Sequence, residues 1–295
     1  MKIRIGVSTG RGDPDAASIG ALADDIEALG FDSIWLPEIL TQAAVDPIVA
    51  LAWIGGHNPR IKLGTTALLP GRNPLRLAKQ VATADVLTGG RFLLTLVPGL
   101  AQAPERDAVG VPTAGRGAVI DELLPVLREL WSGKTVGHDG PSASFPATEL
   151  WPLPVQQPFD VWLGGMAHAA LVRCGRLADG WLPSLCTPEE AASGQRVILE
   201  AAQEAGRTID PEHFGVSIVY SGAALDDRVV AALSVRSRGR DPRQLVPVGF
   251  SELRDRLESF VAVGFSKFVV RPLASPSGWR RELEDLAAAV GDLQN

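Results

Sequence analysis

Eight short apolar runs, each followed by a segment with helical spacing, constrain this chain more than any other feature of its sequence. The runs are Lys2 to Val7, Asp32 to Leu36, Arg60 to Leu69, Phe92 to Val97, Asp160 to Leu163, Gly180 to Pro183, Phe214 to Tyr220 and Lys267 to Val270. Between them apolar residues recur at three- and four-residue intervals, as at Ile19, Leu22, Ile26 and Leu29, where Gly30 closes the helix. Asp46-Pro47, Asn73-Pro74 and Thr187-Pro188 each offer a capping side chain with proline at the first helical position. Regular alternation of this kind builds a parallel sheet. Eight units is the count of an α/β (β/α)8 TIM barrel. An open doubly wound sheet is the alternative, and it needs a chain reversal that no segment marks. The expected organisation is a single domain over residues 1–295, with a proline- and glycine-rich insertion, Ser132 to Pro158, before strand five. Thr135 to His138 and Ala143 to Phe145 read as short strands within it.

Composition narrows the function. A net charge of −6 without any basic run argues against a nucleic acid or an anionic membrane surface as partner. No apolar segment is long enough to span a bilayer and no signal peptide precedes Lys2, so a cytoplasmic location is expected. Two cysteines, Cys174 and Cys186, do not make a disulfide framework, and four scattered histidines share no metal-ligand spacing; no metal centre is expected.

In a (β/α)8 barrel the chemistry sits at the C-terminal ends of the strands. That rule nominates Ser8 and Thr9, Glu38, Thr65 to Pro70, Pro98 and Gly99, Gly164 to Met166, Ser184, Ser221 and Gly222, and Arg271. Only Glu38 and Arg271 carry charge. Lys62 and Lys267 begin their strands and face the other end. A site of small and apolar groups with one carboxylate suits a large planar cofactor that carries the reactivity itself. Gly164-Gly165 lies between strand five and a helix, where two glycines bend freely and the helix start offers unpaired N–H groups; it is either an ordinary tight turn or an anion-binding one. The polar stretch Pro98 to Gly115 is long for a connecting loop, and loops of that length inside a compact domain are usually functional.

Four motifs, in order along the chain, resemble the bacterial-luciferase-like monooxygenase family: Gly30 to Glu38 (GFDSIWLPE), Thr83 to Phe92 (TADVLTGGRF), Arg116 to Glu122 (RGAVIDE), and Trp162 to Gly165 with Ala178 to Trp181 (WLGG, ADGW). The resemblance implies a barrel that binds coenzyme F420 or FMN, acts on a small organic substrate and forms a homodimer. F420 is favoured by Ala-, Gly- and Arg-rich usage of the kind seen where deazaflavin is common. The implied reaction is hydride transfer between F420 and substrate. FMN-dependent monooxygenation with oxygen is the alternative, and a non-catalytic flavin- or F420-binding barrel is the alternative of another class. The cofactor contacts implied are Gly64, Thr65, Thr66, Val97, Gly99, Gly164, Gly165, Met166, Ser184 and Arg271, with Gly164-Gly165 and Ser184 on the phosphate and Thr65-Thr66 under the ring at a bulge with a cis peptide. Glu38 and Glu105 are the catalytic candidates. Many relatives follow the first acid with histidine, whereas this chain has Ile39, which puts proton transfer there in question.

Overall fold

The eight runs become eight parallel strands of one sheet: β1 (Arg4–Ser8), β2 (Ser33–Pro37), β3 (Lys62–Leu68), β4 (Phe92–Val97), β7 (Val161–Leu163), β8 (Gly180–Trp181), β9 (Gly215–Tyr220) and β10 (Lys267–Pro272). The computed structural model describes residues 1–9, 16–41, 43–99, 103–112 and 114–295. Strand order is β8-β7-β4-β3-β2-β1-β10-β9, and parallel bridges from Trp181 to Phe214 and from Ser184 to Ser217 join the two ends. The Ser217 N–H donates to the Pro183 carbonyl at 2.8 Å, so the sheet closes into a barrel.

The helices around it are α1 (Ala16–Ala28), α2 (Pro47–His57), α3 (Pro74–Leu87), α5 (Arg116–Trp131), α6 (His168–Leu177), α7 (Pro188–Glu204), α10 (Gly249–Ala262) and α11 (Trp279–Val290). Short helices α4 (Ala103–Ala108), α8 (Asp227–Ser234) and α9 (Pro242–Leu245) lie in the connections after β4 and β9. Three caps form as the residues demand: Asp46 accepts from the Val49 N–H, Asn73 from the Arg76 N–H, and Thr187 with Glu190 forms a reciprocal capping box. The insertion before β7 folds into an antiparallel hairpin, β5 (Val136–Asp139) with β6 (Ser144–Thr148). Among the described residues no helix is long and apolar enough to cross a membrane.

Alternate residues of each strand face opposite ways. Ile5, Val7, Ile34, Leu36, Leu63, Ala67, Leu94 and Leu96 point outward into the main core under the helices, where each fully buried aliphatic side chain contributes about 1.5–3 kcal/mol. Inside the barrel a separate cluster of Trp35, Leu182 and Val269, with Leu93 and Trp162 against it, fills the middle. Trp35 explains an inward glycine: a Cβ on Gly64 would fall inside the Trp35 indole. The Trp35 indole N–H donates to Ser33 Oγ at 2.9 Å, which satisfies its polar atom in the interior.

The charged residues of the serial motifs hold this scaffold together. Asp85 is fully buried and accepts from the Gln156 backbone N–H at 3.0 Å and the Gln156 amide at 2.7 Å, tying α3 to the segment entering β7. Arg91 donates to the carbonyls of Thr88, Ile61 and Gly55. Asp179 receives Arg128 at 2.5 Å, Arg207 at 3.2 Å and the Val161 N–H at 2.8 Å. Replacing Asp85 by Ala leaves the partly buried Gln156 N–H without its acceptor and the Gln156 amide with the Phe92 carbonyl alone, so Asp85→Ala is expected to lower stability by about 1–3 kcal/mol. Urea unfolding measures this; a loss below about 0.5 kcal/mol would remove the anchoring role from Asp85.

Candidate functional site

Register decides which residues reach the C-terminal mouth. Thr66 pairs with Pro37 and Thr95, and Leu68 pairs with Val97, which puts these side chains on the inner face near the strand ends. Thr65 therefore points the other way. It is fully buried outside the barrel and its hydroxyl donates to the Leu36 carbonyl at 2.9 Å, so the expectation that Thr65 lies under a ring is corrected. Gly64 is also inward but one layer deeper, beneath Trp35 rather than at the mouth. The cis peptide expected at Thr65-Thr66 is not there: both residues pair regularly with β2 and β4, and the cis bonds among the described residues are Trp151-Pro152 and Gln157-Pro158.

The turn after β7 is shaped by close packing. A Cβ on Gly164 would stand 2.8 Å from Val97 Cγ1, and Gly165 adopts φ +110°, a conformation that side chains rarely tolerate. Trp181 Nε1 donates to the Gly165 carbonyl at 2.9 Å and fixes the turn from β8. The helix that follows, α6, has Ala167 at its N-cap and no side-chain cap, so its first N–H groups have no capping acceptor. Ser184, bridged to Ser217, is partly exposed, and its hydroxyl has no partner among the described residues. Met166 packs its side chain partly against the core. Gly99, with φ +44°, abuts Leu68, and its carbonyl accepts from Arg116. Arg271 is partly buried on the inner face of β10.

One residue missed in the sequence belongs here. Thr95 Oγ1 is buried and without a partner at the level of Thr66. The signal was available, since Thr95 is the lone polar residue in FLLTLV. Among the described residues no group of His, Cys, Asp and Glu could hold a metal ion. Cys186, two residues beyond Ser184, offers no nucleophile, because burial pushes its thiol up to about 12.

The two acids do not stand open at the mouth. Glu38 Oε2 accepts from the Leu68 N–H at 2.7 Å and Oε1 pairs with Arg72, with the Glu38 side chain 5% exposed. Glu105 on α4 accepts from the Leu40 N–H at 2.9 Å, so one carboxylate holds the end of β3 and the other the β2–α2 connection. His168 is exposed at the first position of α6. Of the stretch Pro98 to Gly115, α4 is helical, while residues 100–102 and 113 lie outside the described residues.

Comparison with known proteins bears on the family and the fold. The family described as luciferase-like monooxygenase matches residues 1–262. An F420-dependent glucose-6-phosphate dehydrogenase of Kineococcus radiotolerans is 28% identical over 177 residues, 55% of this chain and 52% of that one. The chain spans about half the length of the curated relatives it matches first. In fold, an F420-dependent secondary alcohol dehydrogenase in complex with an F420-acetone adduct superposes with a TM-score of 0.81 at 19% identity, covering 100% of both chains. The FMN-bound oxygenating constituent of 3,6-diketocamphane monooxygenase from Pseudomonas putida does so with 0.76 at 18% identity, covering 100% of this chain and 99% of that one.

The engagement of Glu38 makes a stability prediction. Glu38→Ala leaves the half-buried Arg72 without its carboxylate partner and the Leu68 N–H without its acceptor, and is expected to cost about 2 kcal/mol. Glu38→Gln keeps an acceptor for the Leu68 N–H and is expected to recover part of that. Urea melts of both variants check it, and a Glu38→Ala loss under about 1 kcal/mol would leave the carboxylate free for chemistry instead.

Proposed function

Because this chain belongs to the luciferase-like monooxygenase family, we propose that it is an F420-dependent oxidoreductase that transfers hydride between the deazaflavin and a small organic substrate. The observation that carries the proposal is the entry to α6: Gly164 packed on Val97, Gly165 at φ +110°, an uncapped helix start, and the unpaired Ser184 hydroxyl beside them. Backbone N–H groups at a helix start, with its dipole, suit a phosphate. Thr66, Val97 and Gly99 would line the ring pocket, and the orphaned Thr95 hydroxyl supplies a buried donor at its floor. Arg271, inward on β10, would reach the cofactor from the opposite wall.

When bound, the deazaflavin supplies the hydride acceptor or donor; the chain binds, orients and excludes water. We assign Glu38 to shaping the mouth through Leu68 and Arg72, and Glu105 to the substrate side, where α4 meets the β2–α2 connection. FMN is the second reading, favoured by the FMN complex among the structures of similar fold.

Fluorescence-quenching titrations with F420 and FMN test this. F420 is expected to bind at about micromolar Kd or tighter and FMN more weakly, and Gly165→Glu is expected to weaken F420 at least about 100-fold, about 2.7 kcal/mol, in a folded protein. Neither cofactor binding overturns the proposal, and unchanged affinity in folded Gly165→Glu removes the phosphate assignment.

We also propose a homodimer. Val49 and Trp53 on α2, with Val86 and Leu87 on the neighbouring α3, are exposed large apolar side chains that a second copy would cover. Light scattering is expected to give twice the chain mass, and Val49→Asp with Leu87→Asp is expected to give the monomer; a monomeric wild type ends this assignment.

A further inference from the structure

The barrel has a second opening, at the N-terminal ends of its strands, and it holds a cavity of about 110 Å³. Three cationic residues begin strands there and face inward: Arg4 on β1, Lys62 on β3 and Lys267 on β10, with Arg4 and Lys267 register partners. Arg4 Nε stands 3.8 Å and Lys62 Nζ 2.9 Å from one and the same Asp32 oxygen. Lys267 has no such partner. Among the described residues its ammonium has neither hydrogen-bond acceptor nor ion pair, and Nζ lies 5.0 Å above the Trp162 ring.

The other titratable groups facing it do not neutralise it directly. Asp160 and His213 line the Trp162 side, 4.0 Å from each other. Asp210 and Glu212, before β9, accept from the backbone N–H groups of Glu212 and Lys2. Burial, then Arg4 and Lys62, hold the Lys267 amine down to about 8. Held down in this way, the amine is neutral near physiological pH far more often than that of an ordinary lysine. A neutral amine with two fixed cations beside it is poised to become an anion.

We propose that this cavity takes up carbon dioxide and that Lys267 forms a carbamate there, with Arg4 and Lys62 as its counterions. The Nζ lone pair forms the N–C bond, one C=O π pair moves onto oxygen, and the displaced N–H proton leaves to water. The sum is RNH2 + CO2 → RNHCOO⁻ + H⁺, with nothing oxidised or reduced. The field at Lys267 favours the product: Arg4 and Lys62 act on its amine more strongly than Asp210 and Glu212 do, so a third cation there is opposed and an anion gains two counterions. The cavity is roomy enough for a ligand of three heavy atoms. Lys62 is disfavoured as the nucleophile because its ammonium is held by Asp32.

The test is to equilibrate the full chain with 13C-labelled bicarbonate near about pH 8 and record 13C spectra, then to trap carbamates with triethyloxonium and map them by peptide mass. One side-chain carbamate is expected, on Lys267, at least about tenfold above any other lysine. It is expected to be absent from Lys267→Met. At constant CO2 its occupancy is expected to rise several-fold from about pH 6.5 to about pH 8, because the neutral amine reacts. The trapping map needs only the wild-type protein, so the result does not hang on the variant folding. Carbamate confined to the exposed Met1 amine, spread evenly over the lysines, or undetected would overturn the proposal.

Discussion

A closed parallel barrel admits only alternate residues of each strand to its interior, and this constraint sorts every candidate in the molecule. Closure rests on the short pairing of β8 with β9, where Trp181 meets Phe214 and Ser184 meets Ser217. Because strands in parallel register share a face, the inward assignment of Trp35 propagates to Gly64 and Leu93, and that of Pro37 to Thr66 and Thr95. Function follows from that parity. Thr66 and Thr65 are neighbours of the same type, yet one reaches the mouth and the other satisfies a backbone carbonyl beneath the helices.

The residues that most resemble a family signature are mainly those that hold the barrel. Asp85 near the end of α3, Arg91 before β4 and Asp179 before β8 each make several bonds to backbone or to a distant element, on the side of the barrel where the strands begin. A buried carboxylate with two or three donors is worth keeping because its removal leaves those donors unpaired. Such motifs report fold faithfully and chemistry poorly. The mouth itself is built from glycine, threonine, serine and backbone, residue types whose identity says little until their placement is known.

Much of the architecture was legible because its signals are local. Apolar runs, proline-preceded caps at Asp46, Asn73 and Thr187, and the glycine closing α1 act within a few residues. The short helix α4 was not, since six residues are too few for a period to show. The roles of Glu38 and Glu105 were hidden for a different reason. Their partners, Arg72 and the Leu68 and Leu40 amides, lie 30 to 65 positions away. Strand-end position marked Glu38 as reactive and the resemblance of its segment marked Glu105, and only tertiary contacts revealed that both Glu38 oxygens and one Glu105 oxygen were already in use. The outward facing of Thr65 and the depth of Gly64 were hidden because parity and depth are not encoded in adjacent letters.

The two ends of the barrel also differ in how they treat charge. At the C-terminal mouth the Glu38 carboxylate is tied to Arg72 and the Leu68 N–H, and beside Arg271 the polarity offered to a ligand comes from peptide N–H groups and hydroxyls, which cost little to leave solvated until a ligand arrives. At the N-terminal end the strands begin with Arg4, Lys62 and Lys267, and a single carboxylate, Asp32, serves two of them. Barrel bottoms usually contribute stability alone, yet an unpaired, partly buried lysine contributes the opposite, because desolvation opposes its charge. A Leu or Met at position 267 would pack against Trp162 without that penalty. The amine is therefore the feature of the lower mouth that packing does not account for, and its two cationic neighbours give it a preference for being neutral or, better, negative.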